Sequence, residues 1–117
     1  MNIAVATADS RAPGMRLTAK RRRLIRKFLD RGLPITLELD ELAGVDATLK
    51  VGRKLLGRAT PTVAVRDRVA LALTPSRGAA DLLDGKDEVV ARLKVVATDL
   101  AGNKTVLRRS VRLLEKA

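Results

Sequence analysis

The chain has 117 residues, and its 24 Lys and Arg against 13 Asp and Glu give a net charge of +11. It contains no His and no Cys, which excludes imidazole bases, thiolate nucleophiles, disulfides and zinc sites of the usual kind. The length fits one domain with its own core, and no apolar run approaches the ~20 residues that a membrane-spanning helix needs.

The N-terminal stretch precedes the main body of the predicted fold. Ile3, Val5 and Thr7 alternate with other residues, so residues 1–14 are interpreted as an approach segment or an edge strand. Residues 15–117 are interpreted as a single domain. The start of the chain lacks a basic segment followed by an apolar one, so no signal peptide is predicted in it.

A helix is predicted to follow Thr18, which is a good N-cap residue. Gly32 is expected to end this helix in the left-handed conformation, and Pro34 prevents its continuation. The apolar positions gather on one helical face, which contains Leu24, Ile25, Phe28 and Leu29. The opposite face is basic and contains Arg22, Arg23, Arg26 and Lys27.

Alternating apolar and polar residues predict the strands that follow. These strands cover residues 33–40, 45–51, 68–74 and 89–97. Residues 55–65 are interrupted by Gly57 and Pro61, so this segment is placed at the edge of a sheet. A short helix is predicted from Thr74-Pro75 to about Asp84-Gly85.

The last two strands are predicted to be joined by a tight turn at residues 99–103. Asp99 is expected to accept hydrogen bonds from the backbone of the turn, which continues through Asn103, and Gly102 is expected to take a positive φ. After the turn the alternation breaks at Arg108 and Arg109, and a β-bulge is predicted there. The strands together predict a small all-β sandwich with an aliphatic core, since Phe28 is the single aromatic residue.

Two segments near the ends of the chain resemble the opening and closing signatures of bacterial immunoglobulin-like repeat domains, which are fibronectin type III-like modules of surface proteins. These segments are Asp9-Ser10-Arg11-Ala12-Pro13 and Ala97-Thr98-Asp99-Leu100-Ala101-Gly102-Asn103. The Arg-rich stretch before Gly32-Leu33-Pro34 is similar to an actinobacterial subgroup of these domains. The paired Cys, core Trp and Tyr of antibody-type domains are missing, so the resemblance is to the bacterial class.

The resemblance implies an immunoglobulin-like antiparallel β-sandwich of about seven strands, with one or two short helices in the connections. It also implies a non-catalytic structural or adhesion module that spaces or docks domains in a surface protein or a large assembly. The expected partners are other protein domains or copies of the same chain, and the expected location is extracellular or on the cell surface.

No residue pattern predicts catalysis. Ser10, Ser76 and Ser110 lie outside any nucleophile-elbow pattern, and no glycine pattern matches a phosphate loop. We therefore predict no enzyme activity, no cofactor, no metal site, no small-molecule substrate and no membrane insertion. The acidic clusters are interpreted as turn-capping and solvated groups, with calcium binding as the alternative; they are Asp40 with Glu41, and Asp84 with Asp87 and Glu88.

The excess positive charge supports a second functional hypothesis, a basic protein that binds nucleic acid backbone or an anionic cell-envelope polymer. Like charges that face each other across strands cost stability unless a partner neutralises them. Because aromatic residues are nearly absent, such binding is expected to be driven by the polymer backbone and to depend on salt. The candidate residues are Arg22, Arg23, Arg26 and Lys27 on the predicted helix, and Arg92, Lys94, Arg108 and Arg112 on the closing hairpin.

Overall fold

The computed structural model describes residues 12–59, 62–64 and 67–116. Two short helices, α1 (Ile25–Arg31) and α2 (Ala79–Leu83), lie in connections between strands. The β-rich character predicted from the alternation is confirmed. The strands are β1 (Met15–Ala19), β2 (Arg22–Leu24), β3 (Leu33–Leu39), β4 (Ala43–Val51), β5 (Lys54–Arg58), β6 (Thr62–Ala64), β7 (Asp67–Pro75), β8 (Glu88–Thr98) and β9 (Lys104–Leu114).

The described strands form one hydrogen-bonded path in the order β1-β3-β7-β5-β4-β8-β9-β2, with β6 attached to β4. All of these pairs are antiparallel except β2 with β9, which is parallel. The immunoglobulin-like antiparallel sandwich of about seven strands is therefore wrong. A sandwich needs two separate sheets, whereas here β5 pairs with both β4 and β7 and joins the two halves.

The sheet is strongly curled, because its two ends are tied together by the chain. β1 and β2 lie at opposite ends of the path, yet only Lys20 and Arg21 separate them in sequence. Ala19 and Arg22 are three residues apart, which is at most about 11 Å of extended chain, so the two edges of the sheet must approach each other. The result is an incompletely closed half-barrel with a gap between β1 and β9.

The core lies inside this curl and is almost entirely aliphatic. On β8 the inward positions Ala91, Leu93, Val95 and Ala97 are buried, while Arg92 and Lys94 between them are exposed. Phe28 of α1 is fully buried against the same core, and α1 also packs against β7 and β9. The period-two alternation of the strands therefore determines which side chains are inside and which are in solvent.

The predicted helix after Thr18 is wrong in its first half. Thr18 belongs to β1, and Arg22–Leu24 pairs in parallel with Arg112–Leu114 of β9 before α1 begins at Ile25. Leu24 has an extended backbone and makes no side-chain cap. The edge of β9 supplies non-local hydrogen-bond partners for these residues, and helical periodicity in the sequence does not register such partners.

Three smaller predictions also need correction. Helix α2 begins at Ala79 and not after Thr74, because Pro75 still belongs to β7 and lies opposite Gly57. The β-bulge expected near Arg108 is absent from the β8–β9 pairing, whose register is unbroken, and the irregularity lies in the β4–β5 pairing instead. Residues 55–65 are predicted at a sheet edge, but β5 lies between β4 and β7, and in this segment only β6 has a single strand partner, β4, among the described strands.

The interpretation of residues 1–11 as part of an approach segment or edge strand lies outside the described residues. Neither helix in the described part of the chain has the length and apolar character that would let it cross a membrane.

Candidate functional site

The outer face of β4, β8, β9 and β2 carries a cluster of basic side chains, which we call the cationic face. Outward positions on these strands are the even-numbered ones, as the buried odd-numbered positions on β4 and β8 show. The strand pairings place the outward residues of neighbouring strands side by side on this face. The cationic face consists of Arg22, Lys50, Arg92, Lys94, Arg108 and Arg112.

The pairing register arranges the cationic face in three rows across the strands. Lys50 lies opposite Arg92, Lys94 lies opposite Arg108, and Arg112 lies opposite Arg22. Neighbouring strands are about 4.8 Å apart and successive outward residues on one strand are about 6.8 Å apart. All six side chains are exposed, so the positive charges are close together and in contact with solvent.

Within the described part of the chain, acidic residues lie at the margins of the cationic face and not inside it. Arg112 is 3.8 Å from the Glu88 carboxylate, and Asp46 is paired with Arg58 of β5 at 3.2 Å. Among the described residues no carboxylate lies within 4 Å of the other five cationic groups of this face. Opposed like charges are destabilising, so these cations cost the folded protein stability in the absence of an anion.

Arg23, which was grouped with the candidate binding residues, has a structural role. Its Nη2 and Nε atoms donate hydrogen bonds to the Gly32 carbonyl at 2.9 and 3.2 Å, and its side chain is half-buried. In the parallel pairing it lies opposite the buried Leu113, so it points inward while Arg22 points outward. The guanidinium therefore ties β2 to the end of α1.

Arg26 and Lys27 are exposed on α1 and do not belong to the cationic face. Lys27 lines a small groove of about 290 Å³ together with Lys20, Arg22 and Leu114. The helix thus adjoins the cationic face at Arg22 and does not extend the rows of cations on the strands, a difference that the grouping by sequence did not show.

Gly32 ends α1 with φ of +78°, and its N–H donates to the Phe28 carbonyl at 2.7 Å. A Cβ at this position would lie 2.4 Å from the Leu73 carbonyl oxygen. Only glycine meets both the positive φ and the close approach of β7. The residue therefore allows the helix to lead directly into β3.

The turn between β8 and β9 is built around the carboxylate of Asp99, which is largely buried. Its Oδ1 accepts from the backbone N–H groups of Ala101 and Asn103 at 3.0 and 2.8 Å, and Oδ2 accepts from the Asn103 amide at 3.1 Å. Burial raises the pKa of Asp99, but these hydrogen bonds outweigh it and leave the pKa below its ordinary value. Gly102 completes the turn with φ of +90°.

The gap between β1 and β9 forms a groove of about 530 Å³, which we call the slot. One wall is formed by residues 17–21 and the other by residues 108–111. Arg109 holds an inward position on β9, opposite the buried Leu93, but it is exposed because the sheet is open there. The broken alternation in the sequence thus marks this opening and not a bulge.

The acidic clusters weighed as calcium sites show structural contacts. The Asp40 carboxylate accepts the Gly14 N–H at 2.7 Å, and the Glu88 carboxylate lies near Arg112. Within residues 12–59, 62–64 and 67–116 no group of three or more acidic residues is arranged to hold a metal ion.

Four basic residues of these surfaces were absent from the candidates chosen by sequence: Lys20, Arg21, Lys50 and Arg109. Lys50 is an outward residue of β4, so the same alternation that identified Arg92 would have found it once β4 was placed beside β8. Arg109 had no comparable sequence signal, because its position depends on the gap between the sheet edges.

No family model matches this chain, and no curated protein matches it either. Among solved structures, a FixG-related protein from Vibrio parahaemolyticus is similar at 14% identity and a TM-score of 0.47, over 92% of this chain and 99% of that one. The membership in bacterial immunoglobulin-like repeats and the role as a spacing or adhesion module stay predictions.

Proposed function

We propose that this protein is a non-catalytic module that binds a chain of phosphate groups through the cationic face. The observation that carries the proposal is the set of five exposed cations, Arg22, Lys50, Arg92, Lys94 and Arg108, that have no carboxylate within 4 Å among the described residues. An anionic polymer would neutralise all five at once.

The identity of the cations favours phosphate as the recognised group. Three of the five are arginines, whose planar guanidinium groups match phosphate oxygens in a two-point arrangement. Each phosphate that is bound releases condensed counterions from the polymer, which supplies the driving force and makes it depend on salt. A net charge of +11 also accelerates the encounter with any polyanion.

The same face does not support recognition of bases. Phe28 is the only aromatic residue of the chain, and it is fully buried. Recognition of single-stranded nucleic acid depends largely on aromatic side chains that stack with bases. We therefore expect the protein to bind random-sequence DNA and inorganic polyphosphate, which has neither bases nor sugars.

The salt dependence of DNA binding tests the proposal directly. Five phosphate contacts predict that the logarithm of the binding constant falls with the logarithm of salt concentration with a slope of about −4 to −5. Fluorescence titrations at several salt concentrations measure this slope. A slope near zero would contradict the proposal.

A pair of matched double variants shows where the polymer binds. Arg92→Glu/Lys94→Glu reverses two charges on the cationic face, whereas Arg16→Glu/Arg68→Glu reverses two charges on β1 and β7, outside that face, so the total charge changes equally. We expect the first variant to weaken binding by about tenfold or more and the second by less than about threefold. Equal losses would show that only net charge matters, and the cationic face would then not be a site.

A further inference from the structure

The slot exposes backbone hydrogen-bonding groups of β1 along its whole length. The Asp40 N–H donates to the Gly14 carbonyl, so Gly14 and Asp40 are a hydrogen-bonded pair at the start of the β1–β3 ladder. In an antiparallel ladder the pairs alternate between bonded and non-bonded, so the N–H and C=O groups of Met15, Leu17 and Ala19 point away from β3. They face the slot, where β1 has no strand partner among the described residues.

The opposite wall of the slot, formed by β9, also exposes backbone N–H and C=O groups. The Asp99 N–H donates to the Asn103 carbonyl, so odd-numbered residues of β9 bond to β8 and even-numbered residues point the other way. The even-numbered Arg112 fits this alternation, because its N–H donates to the Arg21 carbonyl at 2.7 Å and not to β8. Arg108 and Ser110 therefore also direct their backbone groups into the slot.

Contacts at both ends give the slot a defined length. At one end the Thr105 hydroxyl donates to the Pro13 carbonyl, and at the other end the Arg112 N–H donates to the Arg21 carbonyl. Between these contacts β1 has five residues, which correspond to about 17 Å of extended chain. The slot thus has two parallel walls, closed ends and a length suited to a short strand.

The side chains that line the slot are basic at its rim and apolar inside. Lys20, Arg21, Arg108 and Arg109 contribute positive charge, and Leu17 and Val111 are buried at its inner side. Arg109 donates to the Arg108 carbonyl at 2.9 Å, which occupies one of the groups that face the slot. Among the described residues no carboxylate lies within 4 Å of these four cations.

We propose that the slot binds an extended peptide segment of alternating apolar and acidic residues, which adds as a strand between β1 and β9. The backbone of such a segment would bond to both walls, as in other cases of strand addition to an open sheet edge. Its apolar side chains would lie against Leu17 at the inner side of the slot, and its acidic side chains would neutralise the cations at the rim. A phosphate polymer would satisfy the charges but has no N–H groups for the open carbonyls.

The test uses a capped synthetic peptide of five residues that alternates Val and Glu, which matches the five residues of β1 between the closed ends of the slot. A peptide of the same composition with the Val and Glu residues in two blocks serves as the control, because it keeps the charge and loses the alternation. We expect the alternating peptide to bind about tenfold or more tightly than the block peptide, as measured by calorimetry.

Amide hydrogen exchange with the bound peptide identifies the contact. The N–H groups of Leu17, Ala19, Arg108 and Ser110 should exchange at least about tenfold more slowly, because strand addition protects them. Binding of the peptide without protection at these amides would overturn the proposal. So would a stable dimer of the chain, seen by native mass spectrometry, in which the same amides are protected before peptide is added.

Matched charge variants separate this proposal from the binding of a phosphate polymer. Arg21→Glu/Arg109→Glu should weaken the peptide by about tenfold and leave DNA binding within about threefold, while Arg92→Glu/Lys94→Glu should do the reverse. If both variants weaken the peptide equally, the slot is not its site. A protein that binds the peptide as expected but does not bind DNA would contradict the proposed function and would leave the peptide site in the slot supported.

A backbone variant tests the strand addition without changing any charge. Ser110→Pro removes an N–H group that points into the slot and leaves the bonds of β9 to β8 in place, and Ser110→Ala is its control. We expect only the proline variant to weaken the peptide, by about fivefold or more. Circular dichroism verifies that the proline variant is folded, and unchanged affinity in a folded variant would contradict strand addition.

Discussion

The outer faces of the two halves of the curled sheet both carry cations, but the cations of one half are paired with a carboxylate and most of those of the other half are not. On β3 the charged outward residue is Glu38, which lies opposite both Arg16 of β1 and Arg68 of β7 and forms ion pairs with them at 4.0 and 2.9 Å. On β8 the central residues are Arg92 and Lys94, which lie opposite further basic or neutral residues. The same strand geometry thus produces one face on which two arginines share an internal carboxylate, which we call the neutralised face, and a cationic face on which five cations have no carboxylate within 4 Å among the described residues.

Net charge alone does not locate a binding site, because cations with an internal carboxylate partner and cations without one contribute equally to it. Cations beside Glu38 have an internal partner, so an approaching polymer must compete with that partner. Cations around Arg92 have none among the described residues, so binding an anion removes repulsion and adds attraction.

The largest effect is expected from Gly32→Ala, which should destabilise the folded sheet on which both faces depend. The new Cβ would lie 2.4 Å from the Leu73 carbonyl oxygen, and φ is +78°. We expect a loss of about 2–4 kcal/mol in the free energy of unfolding, measured by denaturant titration. Gly85→Ala is the control, since φ there is +71° and nothing lies within 4 Å, and it should cost about 1 kcal/mol. Equal costs would show that contact with β7 is unimportant.

Lys94→Glu should give the cationic face the arrangement of the neutralised face. The new carboxylate would lie opposite Arg108, as Glu38 lies opposite Arg68. We expect DNA affinity to fall about tenfold, while the free energy of unfolding rises by up to about 1 kcal/mol. Lys94→Gln separates loss of the cation from gain of an ion pair. A variant that loses both stability and affinity would contradict the argument.

Asp99→Ala should loosen the hairpin that holds the central strands of the cationic face without changing a cation. The variant loses three hydrogen bonds to the turn, so we expect its melting temperature to fall by several degrees at neutral pH. Asp87→Ala removes an exposed carboxylate as a control and should change little.

The contribution of Asp99 also has a definite pH dependence. Because its folded-state pKa is lowered, the stabilisation is present above the ordinary aspartate pKa of about 3.9 and is lost as the pH falls through the lowered value. The difference in melting temperature between Asp99→Ala and the parent protein should therefore shrink in acid. A difference that stays constant in acid would contradict the role of the ionised carboxylate.

The smallest effect is expected from Glu38→Gln, which should make the neutralised face resemble the cationic one. Arg16 and Arg68 would lose their partner, but these pairs are well exposed, so the cost should be about 0.5 kcal/mol in the free energy of unfolding. Retention on a polyanion column should increase slightly. A decrease in retention would show that the ion pairs do not shield these arginines.

The strands and the hairpin were predictable because their causes are local. The alternation at residues 33–39 and 89–97 places apolar side chains on one side of each strand, and the Asp99 turn depends on residues within a few positions. The failure at Arg22–Leu24 has the opposite cause. Its apolar spacing was compatible with a helix, and only the pairing with Arg112–Leu114 makes it a strand.

The candidate site was only partly predictable for the same reason. Alternation placed Arg92 and Lys94 on a solvent face, but their proximity to Lys50 depends on β4 lying beside β8. Arg23 was expected among the exposed cations, whereas its parallel pairing turns it inward to Gly32. Separation along the sequence predicts neither the proximity of Lys50 to Arg92 nor the contact of Arg23 with Gly32.

The sequence by itself determined the strand content, the aliphatic core and the excess of positive charge, because these follow from residue types and from period two along each strand. Tertiary structure alone decided that β5 joins the two halves into one curled sheet, that β2 runs beside β9, and that a slot remains between β1 and β9. These features depend on which strand edges meet after the chain has folded. Hydrogen bonding between edges is non-local, so it leaves no periodic trace in the order of residues.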